Sequence, residues 1–100
     1  MEYLEEVTSK LRTAIAAGST PDKSIKIKLK DLGIVVVTAS SVSNEDQDAD
    51  TTITISRKDF EGLVSGKLKA PVAFMQGKIK IQGDPTAALQ WLPILQRTGV

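Results

Sequence analysis

One hundred residues, 41% of them apolar and 25% charged, suit one globular domain with one core, taken as residues 1–100. The formal net charge of +1 gives no whole-chain reason to expect nucleic acid as a partner. The chain has neither cysteine nor histidine, which excludes a disulfide framework, Ser–His or Cys–His nucleophilic machinery and most zinc sites.

Leu4, Val7, Leu11, Ala14 and Ile15 fall on one stripe, with Glu2, Glu5, Glu6, Lys10 and Arg12 outside it. That pattern predicts an amphipathic helix ending near Gly18. Its acidic start differs from the basic start and apolar run of a signal peptide, and no apolar run approaches bilayer length. The last residues, Thr98-Gly99-Val100, are not a peroxisomal address. A soluble, cytoplasmic location is the expectation.

Residues 19–22 read as a linker. From Ser24 the period becomes two, with Ile25, Ile27 and Leu29 on one face and Lys26, Lys28 and Lys30 on the other. Asp31-Leu32-Gly33 supplies a turn and residues 34–39 return as a second strand, completing a hairpin. The polar, acidic residues 40–49 read as a surface loop. Glu45, Asp46, Asp48 and Asp50 resemble the opening of an EF-hand loop, but Thr51 and Arg57 stand where its glycine and final glutamate belong. No metal and no cofactor are expected.

Residues 50–84 are the most legible part. Asp50 to Ile55 alternates and is rich in β-branched side chains, as a half-buried strand should be. Ser56 is a helix cap with Asp59 three positions on, an acidic variant of the capping box. Phe60, Leu63 and Val64 share a helix face, Gly66 suits the C-terminal end, and Leu68 follows it. Pro71 opens a very short helix through Phe74 and Met75, which Gly77 closes. Ile79 and Ile81 then alternate with Lys78 and Lys80 in a further strand. Gly83-Asp84-Pro85 supplies a turn, a cap and a first-turn proline for a last helix to about Gln96, with a kink or early end expected at Pro93.

These elements predict an α+β fold, a single four- to five-stranded, mainly antiparallel sheet with helices covering one face. The apolar set Phe60, Leu63, Val64, Leu68, Phe74, Met75, Ile79, Ile81, Trp91, Leu92 and Leu95 faces something buried. From periodicity alone a filled core is the favoured reading over a ligand cavity. Gln76 reads equally as a surface or helix-end glutamine and as a polar group at a cavity mouth. The lysine faces of the strands read as a solvated sheet face sooner than a membrane-docking stripe, and no aromatic side chain interleaves them for nucleic acid. Asp31, Asp59, Glu61 and Asp84 form no evident acid–base pair, so no enzyme is expected.

Three segments, residues 49–56, 59–69 and above all the run Ala73-Phe74-Met75-Gln76-Gly77-Lys78-Ile79-Lys80-Ile81-Gln82-Gly83-Asp84, resemble the sterol-carrier-protein-2 family of nonspecific lipid-transfer domains. The resemblance spans roughly residues 24–95. It implies a lipid tunnel between sheet and helices, lined by the apolar set above, with Gln76 near the ligand. It also implies a lipid or fatty-acyl partner of the sterol, fatty-acid or acyl-CoA class, transient contact with anionic membranes, and a monomer or weak homodimer. Family members usually have an extra strand between the first helix and the counterpart of residues 24–30, where this chain has only the short linker. The last helix is the expected gate. Two other readings remain, an interaction or dimerisation module with a filled core that uses Trp91, Leu92, Ile94 and Leu95 as an interface, and an acyl-thioester enzyme, which the absence of histidine and cysteine disfavours.

Overall fold

The computed structural model describes residues 2–18 and 20–98. Ser19 of the linker and the terminal Gly99-Val100 lie outside the described residues. In chain order the elements are α1 (Tyr3–Ala16), β1 (Ile25–Leu29), β2 (Gly33–Val37), β3 (Val42–Ser43), β4 (Thr51–Ile55), α2 (Arg57–Ser65), α3 (Ala70–Met75), β5 (Ile79–Gly83) and α4 (Pro85–Arg97). The strands form one sheet in the order β3-β2-β1-β4-β5. Neighbours are antiparallel except β1 and β4, which run parallel with Ile27 opposite Ile53. The fold is α+β, with a five-stranded, mainly antiparallel sheet.

The fifth strand does not come from the linker before β1. It is β3, two residues inside the segment that reads as a surface loop. A strand so short has no alternation to detect, and it forms because Val42 pairs with Val37 at the open edge of β2. The chain must then travel from that edge past β2 and β1 to reach β4. The ion pair of Lys26 with Asp46, at 2.7 Å, places this crossing on the outer face of the sheet. Lys26 is thereby nearly covered, its side chain only 12% exposed, so the lysine face of β1 is in part a seat for the acidic loop.

Local signals place the helices. The Ser56 hydroxyl accepts the Asp59 N–H at 3.2 Å and Gly66 closes α2 with φ of 82°. Pro71 stands in the first turn of α3. The Asp84 carboxylate accepts the Thr86 N–H at 2.9 Å to start α4. Helix α4 runs through Pro93 to Arg97 rather than ending there. The proline removes one backbone hydrogen bond, whereas Trp91, Ile94 and Leu95 on either side of it are buried and hold the helix on the core.

The inward face of β1 is fully apolar, and Val35 and Val37 of β2 and Ile55 of β4 are also fully buried. Over them lie Val7 and Leu11 of α1, Phe60 of α2 and Trp91 of α4. Tyr3 packs edge-on against Phe60, with ring centroids 6.4 Å apart, and Arg57 lies 4.4 Å over the Tyr3 ring. Burial, and next the nearby Glu61 carboxylate, push the Tyr3 phenol up to about 12. Trp91 is the anchor of α4. Its ring is fully buried and its Nε1 donates to the Lys23 carbonyl at 2.7 Å, which ties α4 to the segment entering β1.

Truncating a buried tryptophan costs about 3–5 kcal/mol, a large share of the ~5–15 kcal/mol that holds a domain together. Trp91→Ala is therefore expected to lower Tm by roughly 15 °C or more. A thermal melt followed by circular dichroism that moved by only a few degrees would contradict the anchoring role.

Candidate functional site

The inward faces of β1 and β2 are covered by buried apolar side chains, whereas a hollow remains over β5 and part of β4. Between β5 and the helices lies an open-mouthed cavity of about 360 Å³. Ile53, Ile79 and Ile81 form its floor, Leu63 of α2 its inner wall, Ala70, Pro71 and Phe74 of α3 one side, and Pro85, Ala88, Leu89, Leu92 and Leu95 of α4 the other. Gly83 completes the lining at the end of β5. The lining carries no charged side chain. Such a surface offers burial to a hydrocarbon chain and no partner to a buried ionic group.

The hollow follows from residue sizes and from where the strands end. Ala70, Ala73, Ala87 and Ala88, with Pro71 and Pro85, put short side chains on the parts of α3 and α4 that pass over β5. Trp91 and Phe60, the largest buried side chains, both lie outside the lining. At the end of β5, Gly83 has φ of 96°, and a Cβ there would meet the Asp50 carbonyl oxygen at 2.5 Å. Only glycine lets β5 close on the start of β4. The next residue continues this closure, since the Asp84 N–H donates to the same Asp50 carbonyl at 3.0 Å.

Six of the residues expected at a ligand site, Leu63, Phe74, Ile79, Ile81, Leu92 and Leu95, line this cavity together. The other six lie elsewhere. Phe60, Val64 and Trp91 are buried in the core without lining the cavity. Leu68 packs half-buried over Gly62, where a Cβ would stand 3.1 Å from its own. Met75 is 86% exposed on the outside of α3, and Gln76 is exposed at the end of that helix, its N–H bonded to the Val72 carbonyl at 3.0 Å. Ile53, Ala70, Pro71, Gly83, Pro85, Ala88 and Leu89 were not among the expected residues. The signal that points to them is the clustering of alanine and proline on the helices facing an isoleucine-bearing edge strand.

The mouth lies between Phe74 of α3 and Leu89 of α4, 56% and 63% exposed respectively although both line the cavity. The two walls are held unequally. Helix α4 buries Ala87, Ala88, Trp91, Ile94 and Leu95, whereas α3 buries only Ala73. The wall held by fewer buried side chains is thus α3, whereas the last helix, expected as the gate, is the more firmly packed of the two.

The chain matches the sequence pattern of the SCP-2 sterol transfer family over residues 2–96. It belongs to that family. Among solved structures, the sterol carrier protein domain 2 of Helicoverpa armigera is similar, at 27% identity and a TM-score of 0.72, over 92% of this chain and 84% of that one. The Aedes aegypti sterol carrier protein-2 in complex with palmitate shares the fold at 18% identity and a TM-score of 0.74, over 91% of this chain and 92% of that one. The apo form of Yarrowia lipolytica sterol carrier protein 2 does so at 24% identity and a TM-score of 0.66, over 95% of this chain and 77% of that one. No curated protein sequence matches the chain. Among the described residues, no helix is long and apolar enough to cross a membrane, and no group of three or more acidic side chains is placed to hold a metal ion.

Two predictions concern the walls. If α3 is the weaker wall, its amides from Ala73 to Gln76 exchange with deuterium about tenfold or more faster than those of Trp91, Leu92, Ile94 and Leu95. Equal protection of the two helices would refute the assignment. The start of α4 carries a pH signature. The Asp84 carboxyl is held below its ordinary value of 3.8, first by the hydrogen bond from Lys23 and next by that from the Thr86 N–H. A depressed folded-state pKa stabilises the fold above the ordinary value, and this contribution is lost as pH falls through the folded value. Asp84→Asn keeps a competent cap and removes the ion pair. Its Tm deficit is expected to be steady from neutral pH down to about pH 4 and to close below it, whereas a deficit independent of pH would show that the pair contributes nothing.

Proposed function

We propose that this protein is a cytoplasmic, one-domain lipid carrier that buries the hydrocarbon part of a fatty acid or similar amphiphile in the cavity between β5, α3 and α4 and leaves the polar head at the mouth. The observation that carries this reading is the cavity itself, apolar on every described side and open at one end. Its volume of about 360 Å³ is more than twice the roughly 150 Å³ that suffices for benzene. On that scale it takes about a dozen carbons. At about 0.8 kcal/mol per buried CH₂, a dozen carbons contribute on the order of 10 kcal/mol before association costs of at least ~4 kcal/mol. The balance, about 6 kcal/mol at most, is a dissociation constant of roughly 40 μM or weaker, loose enough to release.

The complex of the Aedes aegypti relative with palmitate supports the ligand class. The described lining residues supply no nucleophile, acid or base, which supports carriage over catalysis. The same hollow separates this reading from an interaction module with a filled core. Exchange proceeds by opening of α3 away from α4, uptake of the chain, and closure of Phe74 and Leu89 about it.

Palmitate at a hundredfold excess over its dissociation constant is expected to add about 2.7 kcal/mol of stability, a rise in Tm of roughly 10 °C or more. Ala88→Phe fills the cavity from the α4 wall, and it is expected to abolish the rise while leaving the far-ultraviolet spectrum unchanged. An unmoved Tm in the unmodified protein, together with no uptake in a calorimetric titration, would remove the basis for the proposal.

A further inference from the structure

Helix α3 has an outer face that nothing among the described residues covers. At about 100° per residue, Ala73 points inward, Met75 falls nearly opposite to it and Val72 lies on the flank. Val72 is 46% exposed and Met75 86%. Phe74 and Leu89 continue this apolar surface to the cavity mouth. Among the described residues, the exposed large apolar side chains are Leu32 and these four, so they are concentrated at one place.

The charge around that place is one-sided. From Gly62 to Gly83 there is no acidic residue, and Lys67, Lys69, Lys78 and Lys80 fall within the segment. A chain of net charge +1 thus carries +4 in these residues and −3 in the remainder. Lys67 and Lys69 stand immediately before α3, and Lys78 is joined to it, its N–H donating to the Ala73 carbonyl at 2.9 Å. All three are exposed. Ion pairs among the described residues engage Lys23, Lys26 and Arg57, and none of these three.

We infer that α3 with Lys67, Lys69 and Lys78 is the surface by which this protein docks on an anionic lipid bilayer, cavity mouth toward the lipid. Apolar side chains ringed by unpaired cations, with the anions confined to the rest of the molecule, match a surface that is apolar within and negative at its head groups. A second copy of the chain fits poorly, because a two-fold contact through α3 would set these lysines against their own counterparts. The inference rests on the carrier reading and adds to it the place and charge of the donor or acceptor surface.

The test uses the full chain and sedimentation with vesicles of phosphatidylcholine alone or of equal parts phosphatidylcholine and phosphatidylglycerol. Each lysine near an anionic surface is worth roughly fivefold in partitioning. The triple variant Lys67→Gln, Lys69→Gln, Lys78→Gln is therefore expected to lose more than tenfold of its binding to the anionic vesicles, as does the unmodified protein in high salt. Met75→Glu loses as much. None of these residues lines the cavity, so palmitate affinity stays unchanged, which also reports that the variants fold. The triple variant Lys26→Gln, Lys28→Gln, Lys30→Gln, on the outer sheet face, keeps its vesicle binding.

Equal binding to neutral and anionic vesicles overturns the inference, as does loss of binding in the sheet-face variant alone. So does self-association that Met75→Glu abolishes, which would make a second copy the occupant. Vesicle binding without palmitate binding would remove the carrier reading and leave the docking surface standing, and the converse would remove only the docking surface.

Discussion

Asp50 joins three stretches of chain that are far apart in sequence. Its carboxylate accepts the Ser24 N–H at 2.7 Å, and its own N–H donates to the Ser24 hydroxyl at 3.0 Å, which fixes the parallel start of β4 beside β1. Its carbonyl accepts the Asp84 N–H, which fixes the end of β5 and the start of α4. A parallel pair cannot be closed by a tight turn, so its register needs a lock of this kind at the end where both strands begin. Gly83 makes the lock geometrically open to the third stretch. The floor of the cavity and the entry of α4 over it both follow from these few hydrogen bonds.

The filled core and the hollow then divide the requirements of stability and binding. An enclosed void costs about 24 cal/mol per Å³, so one of about 360 Å³ would forfeit on the order of 9 kcal/mol, comparable to the whole stability of a small domain. Two features lessen that cost. The cavity opens to solvent between Phe74 and Leu89, and the largest buried side chains, Trp91 and Phe60, are packed in the core outside its lining. The side chains that α4 buries hold it on the core without help from α3.

Much of this was legible in the sequence because local chemistry and global fold agree. The hairpin of β1 and β2, the Ser56 cap, the Gly66 end of α2, the first-turn Pro71 and the Asp84 cap are each set by a few neighbouring residues, and each stands where the pattern puts it. What was not legible depends on distant partners. Strand β3 exists only because β2 offers an edge. Pro93 leaves α4 continuous only because Ile94 and Leu95 find a core to enter. Inward-facing apolar residues look alike in sequence whether they fill a core or line a hollow, which is why Phe60 and Trp91 fall in the core and Leu63 and Leu92 on the cavity. The positions of Ala70, Ala88 and Pro85 carried the distinction, through what their side chains lack.

Trp91 is the sole tryptophan of the chain, and it is fully buried in the core, outside the cavity lining. Its emission therefore reports the environment of the anchored end of α4. On the proposed route beneath α3, the indole and its bond to the Lys23 carbonyl are expected to stay in place, with intrinsic fluorescence close to constant on loading and red-shifted on unfolding. Silence in that signal is what a loaded cavity looks like from the position of Trp91, and occupancy has to be read from a probe carried by the ligand itself.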